Sequence, residues 1–214
     1  LYNELGLEEQ IISSVSGKIV NEYDDMGNVT RTIYPDLSEE RRVYDIEGNE
    51  ISFTDRLGNV TKYEYDALGR QTKMIFADGT SNQMVYDEIG QLKEKIDENG
   101  NVTQYTYDPM GRNIAVTDAL GNTTQYEYGL NNNKTKMIDA KGQEINFSYN
   151  EKGLLVNTVL PDKNTIRYGY NEMGIKISET DQTGKTTYFE YNDQGKLVSV
   201  KDAQGNTTEY AYDR

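Results

Sequence analysis

The sequence predicts an all-β fold: tandem 21-residue antiparallel β-hairpins forming one long curved or spiralling sheet. Three features carry this: a tyrosine lattice with a step of 21, two turns per step, and period-two alternation between the turns. Tyrosine recurs at Tyr2, Tyr23, Tyr44, Tyr65, Tyr86, Tyr107, Tyr128, Tyr149, Tyr170, Tyr191 and Tyr212 without one insertion. Self-similarity at fixed spacing is the mark of a repeat architecture.

The first turn of each unit follows the tyrosine. Four residues on comes Gly6, Gly27, Gly48, Gly69, Gly90, Gly111, Gly153, Gly174 or Gly195, with Asn132 the exception. Asn is the next-best residue for a positive φ. In Asp66-Ala67-Leu68-Gly69 the Asp can accept backbone N–H groups, two residues sit in αR, and Gly makes the left-handed exit. A second turn lies half a period away, with Gly58, Gly79, Gly100, Gly121, Gly142, Gly184 and Gly205. In its variants Tyr34-Pro35-Asp36 and Leu160-Pro161-Asp162, Pro presets φ.

Two turns in 21 residues leave two short strands. Thr61-Lys62-Tyr63-Glu64-Tyr65 alternates polar and aromatic residues, which a helix would not place on one face. An odd repeat must also keep every tyrosine on one side of the sheet. If strands of seven residues pair fully, this requires loops of four and three. A four-residue loop at 66–69 pairs Tyr65 with Arg70 and Tyr63 with Thr72. It puts Met74, Phe53, Val116 and Val200 on the tyrosine face, and Lys62, Glu64, Gln104, Glu127, Arg167 and Glu190 on the reverse. An Ile row at 33, 75, 96 and 138 interrupts that reverse face.

Composition alone points elsewhere. Leu, Ile, Val and Phe number 44 of 214 and the net charge is −14, a balance typical of disorder. Eleven of 18 tyrosines on a strict lattice reverse that reading, because Tyr suits a pleated, half-buried surface. With neither Cys nor His, disulfides, thiolate nucleophiles, imidazole bases and the usual zinc ligands are excluded. No cofactor is expected. No apolar run approaches a membrane span, and an acidic surface repels nucleic acid. Leu1 is not an initiator Met and Tyr212-Asp213-Arg214 stops inside a motif, so residues 1–214 read as an array of about ten hairpin repeats truncated at both ends.

Tyr65-Asp66-Ala67-Leu68-Gly69-Arg70, followed by the run from Asp97 to Asp108, resembles the RHS or YD repeat family along the whole chain. Tyr is followed by Asp or Asn at ten of eleven lattice positions, Gly129 departing, and Gly-Asn-Val/Thr-Thr recurs at 58–61, 100–103, 121–124 and 205–208. The resemblance implies a β-sheet strip spiralling into a hollow shell, as in bacterial polymorphic toxins, insecticidal toxin complexes and teneurins. It also implies neighbouring repeats and an enclosed C-terminal toxin as partners, and a secreted or cell-surface, bacterial setting. Family members cleave themselves near an Asp-Pro-x-Gly-Leu element. Here Asp108-Pro109-Met110-Gly111 is followed by Arg112 in mid-array and reads as an ordinary turn.

The leading reading is therefore a non-catalytic shell segment whose repeat anchors are the tyrosines and glycines of the first turn. A surface adhesion or glycan-binding module is the alternative, because tyrosine rows can stack sugars or cell-wall polymers. A polymer hydrolase is a third reading; it needs a singular carboxylate pair, and no acidic pair breaks the repeat. Acidic turns such as 97–101 invite calcium but match no calcium-loop spacing. Asn-x-Ser/Thr matches at Asn28, Asn59, Asn101, Asn122, Asn133, Asn146 and Asn206 follow mostly from the repeat itself. Unpaired strands at the two ends of the array expose edges suited to self-association.

Overall fold

The computed structural model describes residue 6, residues 10–13 and residues 17–212, so Tyr2 lies outside the described residues. All twenty strands among them belong to antiparallel hairpins. The chain divides into two compact units, residues 1–104 and 105–214. The first holds β1 (Gln10–Ser13), β2 (Gly17–Tyr23), β3 (Val29–Ile33), β4 (Glu39–Tyr44), β5 (Glu50–Thr54), β6 (Val60–Tyr65), β7 (Gln71–Ile75), β8 (Ser81–Tyr86) and β9 (Leu92–Ile96). The boundary falls within β10 (Val102–Tyr107), whose first residues pair with β9. The second unit continues with β11 (Asn113–Thr117), β12 (Thr123–Tyr128), β13 (Lys134–Ile138), β14 (Glu144–Tyr149) and β15 (Leu155–Val159). It ends with β16 (Thr165–Tyr170), β17 (Lys176–Thr180), β18 (Thr186–Tyr191), β19 (Leu197–Lys201) and β20 (Thr207–Glu209).

Both turns of the repeat have one geometry. Asp66 N donates to Arg70 O at 3.0 Å and Gly69 N to Asp66 O at 3.0 Å; Phe76 N donates to Thr80 O at 2.9 Å and Gly79 N to Phe76 O at 3.0 Å. Each is a three-residue loop whose last residue has a positive φ, 74° at Gly69 and 85° at Gly79. The Pro-Asp variants place Leu37 (φ 67°) and Lys163 (φ 69°) in that position, and the first-turn exception Asn132 has φ 60°.

Equal loops overturn the four-and-three division. Two odd loops would send successive tyrosines to opposite faces, and a β-bulge in each repeat restores the parity. Tyr65 pairs with Gln71, whereas Tyr63 pairs with Met74, the register shifting between Glu64 and Tyr65. One extra residue, Thr72, is absorbed there. The same shift recurs at Tyr23, Tyr44, Tyr86, Tyr128, Tyr149, Tyr170 and Tyr191. Strands are accordingly five or six residues long through most of the array, not seven.

The bulged register differs from the expected one by two residues, which leaves face assignments unchanged. Phe53 pairs with Thr61, Val116 with Thr124 and Val200 with Phe189, all on the tyrosine face. Ile75 pairs with Lys62, Ile96 with Gln83 and Ile138 with Gln125 on the reverse.

Among the described residues no apolar residue is buried; only Thr158 is, at 8% exposure. The tyrosine face is half-buried, and the reverse face exposes Lys62, Glu64, Gln104, Glu127, Arg167 and Glu190. Such a sheet is held by cross-strand pairs and polar bonds rather than by a second layer.

Candidate functional site

The recurring unit is built around the strand-ending tyrosine. Its hydroxyl donates to the backbone carbonyl fifteen residues back: Tyr44 to Val29 at 3.1 Å, Tyr65 to Glu50 at 2.8 Å, and Tyr86 to Gln71 at 3.0 Å. In the second unit Tyr128 donates to Asn113, Tyr149 to Lys134, Tyr170 to Leu155 and Tyr212 to Leu197, at 2.7–2.9 Å. The accepting residue is the one that pairs with the preceding tyrosine across the bulge, as Glu50 pairs with Tyr44. Each hydroxyl therefore ties one repeat to the bulge of the repeat before it. Tyr23, Tyr107 and Tyr191 end their strands in the same half-buried position.

After the tyrosine, Asp or Asn closes the turn. Asp66 Oδ1 accepts from Leu68 N at 2.9 Å and Arg70 N at 3.1 Å. Asn150, Asn171 and Asn192 use their amide oxygen in the same way. Where the turn begins with Tyr34, Phe76 or Leu160, an Asp two residues later captures the final amide, as Asp78 Oδ1 does with Thr80 N at 2.9 Å. Gly48, Gly69, Gly90, Gly153, Gly174 and Gly195 take the left-handed exit with φ between 74° and 92°, as do Gly27 (88°) and Gly111 (79°).

These bonds set the electrostatics. Arg70 beside Asp66 holds that carboxyl below its usual range, and the side-chain amides of Asn28, Asn49, Asn59, Asn101, Asn122 and Asn206 do so for Asp24, Asp45, Asp55, Asp97, Asp118 and Asp202. Burial pushes the phenols of Tyr44, Tyr63, Tyr65 and Tyr149 up, so they stay neutral hydrogen-bond donors at ordinary pH.

The acidic turns have little left for a cation. Asp97 Oδ1 accepts from the amides of Asn99 and Asn101 at 2.9 Å each, and its Oδ2 accepts from Asn101 Nδ2 at 2.8 Å. No group of three or more metal-ligating side chains occurs among the described residues. The same bonds occupy the glycosylation matches: the amide nitrogens of Asn28, Asn59, Asn101, Asn122 and Asn206 all donate to the Asp four residues earlier. Asp108-Pro109-Met110-Gly111 is a turn, with Gly111 N donating to Asp108 O at 2.9 Å.

Sequence reasoning missed the residue after the turn glycine. Arg70 forks onto Asp66 Oδ2 through Nε and Nη2, both at 2.6 Å, and lies 4.6 Å from the Tyr86 ring centroid. Arg112 repeats this on Asp108 and stands 5.0 Å from the Tyr128 centroid; Lys196 Nζ is 5.1 Å from that of Tyr212. A basic residue sixteen positions before a lattice tyrosine was the available signal.

Turn chemistry, bulge and hydroxyl staple together define a tandem β-hairpin repeat protein in which each unit is completed by its neighbour. The Teneurin YD-shell family model matches residues 102–214, just over half of the chain, and the RHS Repeat model matches residues 44–81 and 86–112. The chain belongs to the YD-shell family of RHS-type repeats. No curated protein sequence matches it.

Among solved structures, the crystal structure of TcdB2-TccC3-TEV is similar with a TM-score of 0.75 at 14% identity, over 92% of this chain and 12% of that one. TcdB2-TccC3 without its hypervariable C-terminal region gives 0.71 at 15% identity, over 100% and 14%. A Photorhabdus luminescens Tc holotoxin pore gives 0.63 at 14%, over 87% and 14%. The shared property is the hairpin-repeat sheet. This chain spans about an eighth to a seventh of the chains it matches.

Proposed function

We propose that residues 1–214 are a non-catalytic run of shell repeats in a secreted or cell-surface protein, helping to enclose a C-terminal toxin or effector. The observation that carries this reading is the internal closure of the unit: tyrosine hydroxyls, turn carboxylates and the Arg fork bind this chain's own backbone and side chains. In this reading the lattice tyrosines and turn glycines act as anchors, and any chemistry belongs to other segments. The test is limited proteolysis of the full-length protein. An enclosed C-terminal segment resists cleavage until the sheet is unfolded by denaturant. Cleavage at the rate of the isolated segment under native conditions would remove enclosure.

A second reading, surface adhesion through glycan binding, is favoured by the exposed side chain of Tyr188, at 53%. Saturable glycan-array binding that disappears in Tyr188→Ala, with an unchanged melting curve, would support it. An array without signal would end it.

A further inference from the structure

The reverse face of the second unit departs from the repeat at one place, and it does so twice over. The position three before each lattice tyrosine carries Arg41, Lys62, Gln83, Gln104, Gln125 or Arg167 elsewhere, but Tyr188 on β18, the single aromatic among the described strand residues of that face. Its cross-strand partners are Ser178 on β17 and Lys201 on β19, and Ser178 in turn pairs with Gly169 on β16. Gly169 is the only glycine in the row immediately before the lattice tyrosines, where other repeats hold Glu64, Val85 or Glu127. The bare position and the aromatic one thus share a cross-strand row, two strands or roughly 10 Å apart.

The consequence is an open flank beside the ring. Ser178 Oγ lies where a side chain at 169 would begin, so it leans toward β16 and away from Tyr188. In other repeats Lys73, Glu94, Lys136 or Asn157 fills the place of Ser178. Tyr188 is accordingly 53% exposed although β16 and β17 lie on one side of it and β19 and β20 on the other. A groove of about 1000 Å³ runs alongside, with Met173, Ile177, Tyr188, Glu190 and Lys201 among its walls.

Polar groups at the margin of the ring are unspent. In equivalent rows they satisfy one another, as Gln104 does with Glu94, and Lys136 with Glu127 and Glu144. Among the described residues the side chains of Ser178, Tyr188, Glu190 and Lys201 make no hydrogen bond or ion pair. A flat apolar surface rimmed by free donors and acceptors matches a pyranose, which presents C–H groups on one face and hydroxyls around its edge.

Charge narrows the class. Arg167 and Lys201 around the ring are balanced by Glu190 and Glu209, so the patch is locally neutral on a chain of net charge −14. A phosphate polymer is repelled by the chain as a whole, and one ring without a second aromatic makes no cage for a quaternary ammonium.

We propose that Tyr188 is the platform of a binding site for a neutral hexopyranose glycan, seated over the ring toward Ser178 and Gly169, with Lys201 and Glu190 bonding its hydroxyls. This rests on the adhesion reading and narrows it to one site and one ligand class.

The probes are neutral oligosaccharides of glucose, mannose, galactose and N-acetylglucosamine, each titrated into the 214-residue chain by calorimetry and saturation-transfer NMR, with polygalacturonate as the acidic comparison. At least one neutral saccharide should saturate a single class of site. Tyr188→Gln and Ser178→Lys should each weaken it at least about tenfold. Neither should move the thermal melt, because Gln104 and Lys73 already occupy the equivalent places in the same sheet. Tyr188→Phe should retain most of the affinity. Binding that persists unchanged in Tyr188→Gln, or that is confined to polygalacturonate, overturns this site while leaving adhesion through another. Absence of binding to every saccharide overturns both.

Discussion

The turns at 87–91 and 129–133 occupy equivalent places in their repeats and are closed by different means. At 87–91 the chain supplies its own cap: Asp87 Oδ1 accepts from Ile89 N at 3.0 Å and Gln91 N at 2.8 Å, and Gly90 exits at φ 92°. Arg70 comes in from the preceding repeat, but its Nη1 is buried with no partner. At 129–133 both rules of the repeat are broken, with Gly129 in place of the capping acid and Asn132 in place of the exit glycine. There Arg112 Nη1 donates to Gly129 O at 3.2 Å and to Asn132 Oδ1 at 3.1 Å. The two departures in sequence answer one another in space: a turn without its own cap is held by the arginine of the repeat before it. Closure of a hairpin in this array can therefore be local or borrowed.

The largest expected difference is on acidification. Asp66, Asp97, Asp118 and Asp202 have carboxyls lowered by turn hydrogen bonds, so the unfolded chain takes up protons first as pH falls. Their contribution is complete above the unfolded carboxyl value near 4 and disappears as pH drops through the lower folded values. A urea midpoint that declines steeply below about pH 4 is expected, with no break near pH 6 because the chain lacks His. Amides of 129–133 should lose hydrogen-exchange protection only with the global transition, since that turn has no capping carboxylate to protonate. Early loss there would contradict the borrowed closure.

Next in size is removal of the arginines. Arg112→Ala deletes the bonds to Gly129 O and Asn132 and should lower stability by about 2 kcal/mol. Arg70→Ala, whose Nη1 has no partner to lose, should cost about half that. Equal losses in chemical denaturation would show that Nη1 contributes nothing at 129–133. Tyr86→Phe and Tyr128→Phe serve as the control. Each hydroxyl donates to a bulge carbonyl, at 3.0 and 2.8 Å, and each loss should cost about 1 kcal/mol whichever way the turn is closed.

Much of this was legible in sequence because the unit is short and local. Tyrosine spacing gave the hairpins, turn residues such as Asp66 and Gly69 gave the exits, and the parity argument gave the right faces. The loop division failed because a bulge and an even loop correct parity equally well, and no residue type marks Thr72 as the extra one. Arg112 was missed for a different reason: its acceptors lie 17 and 20 residues away, beyond any turn signature.

The smallest effect is the most direct test of the comparison. A Cβ added at Gly90 would stand 3.1 Å from Arg70 Nη1, so Gly90→Ala meets crowding as well as the penalty of a positive φ, together about 1 kcal/mol or more. Gly90→Asn meets the same backbone but tolerates it better, as Asn132 does at φ 60°. It also brings an amide oxygen toward the unpartnered Nη1. The expected order of thermal midpoints is therefore Asn above Ala, by about 1 kcal/mol, with Asn close to the original glycine. That advantage should shrink in an Arg70→Ala background to the part that comes from the backbone, because the acceptor then has no donor. If Asn still exceeds Ala by the same margin without Arg70, the gain is a property of the backbone alone, and the Arg112–Asn132 bond is a consequence of Asn132 rather than its reason.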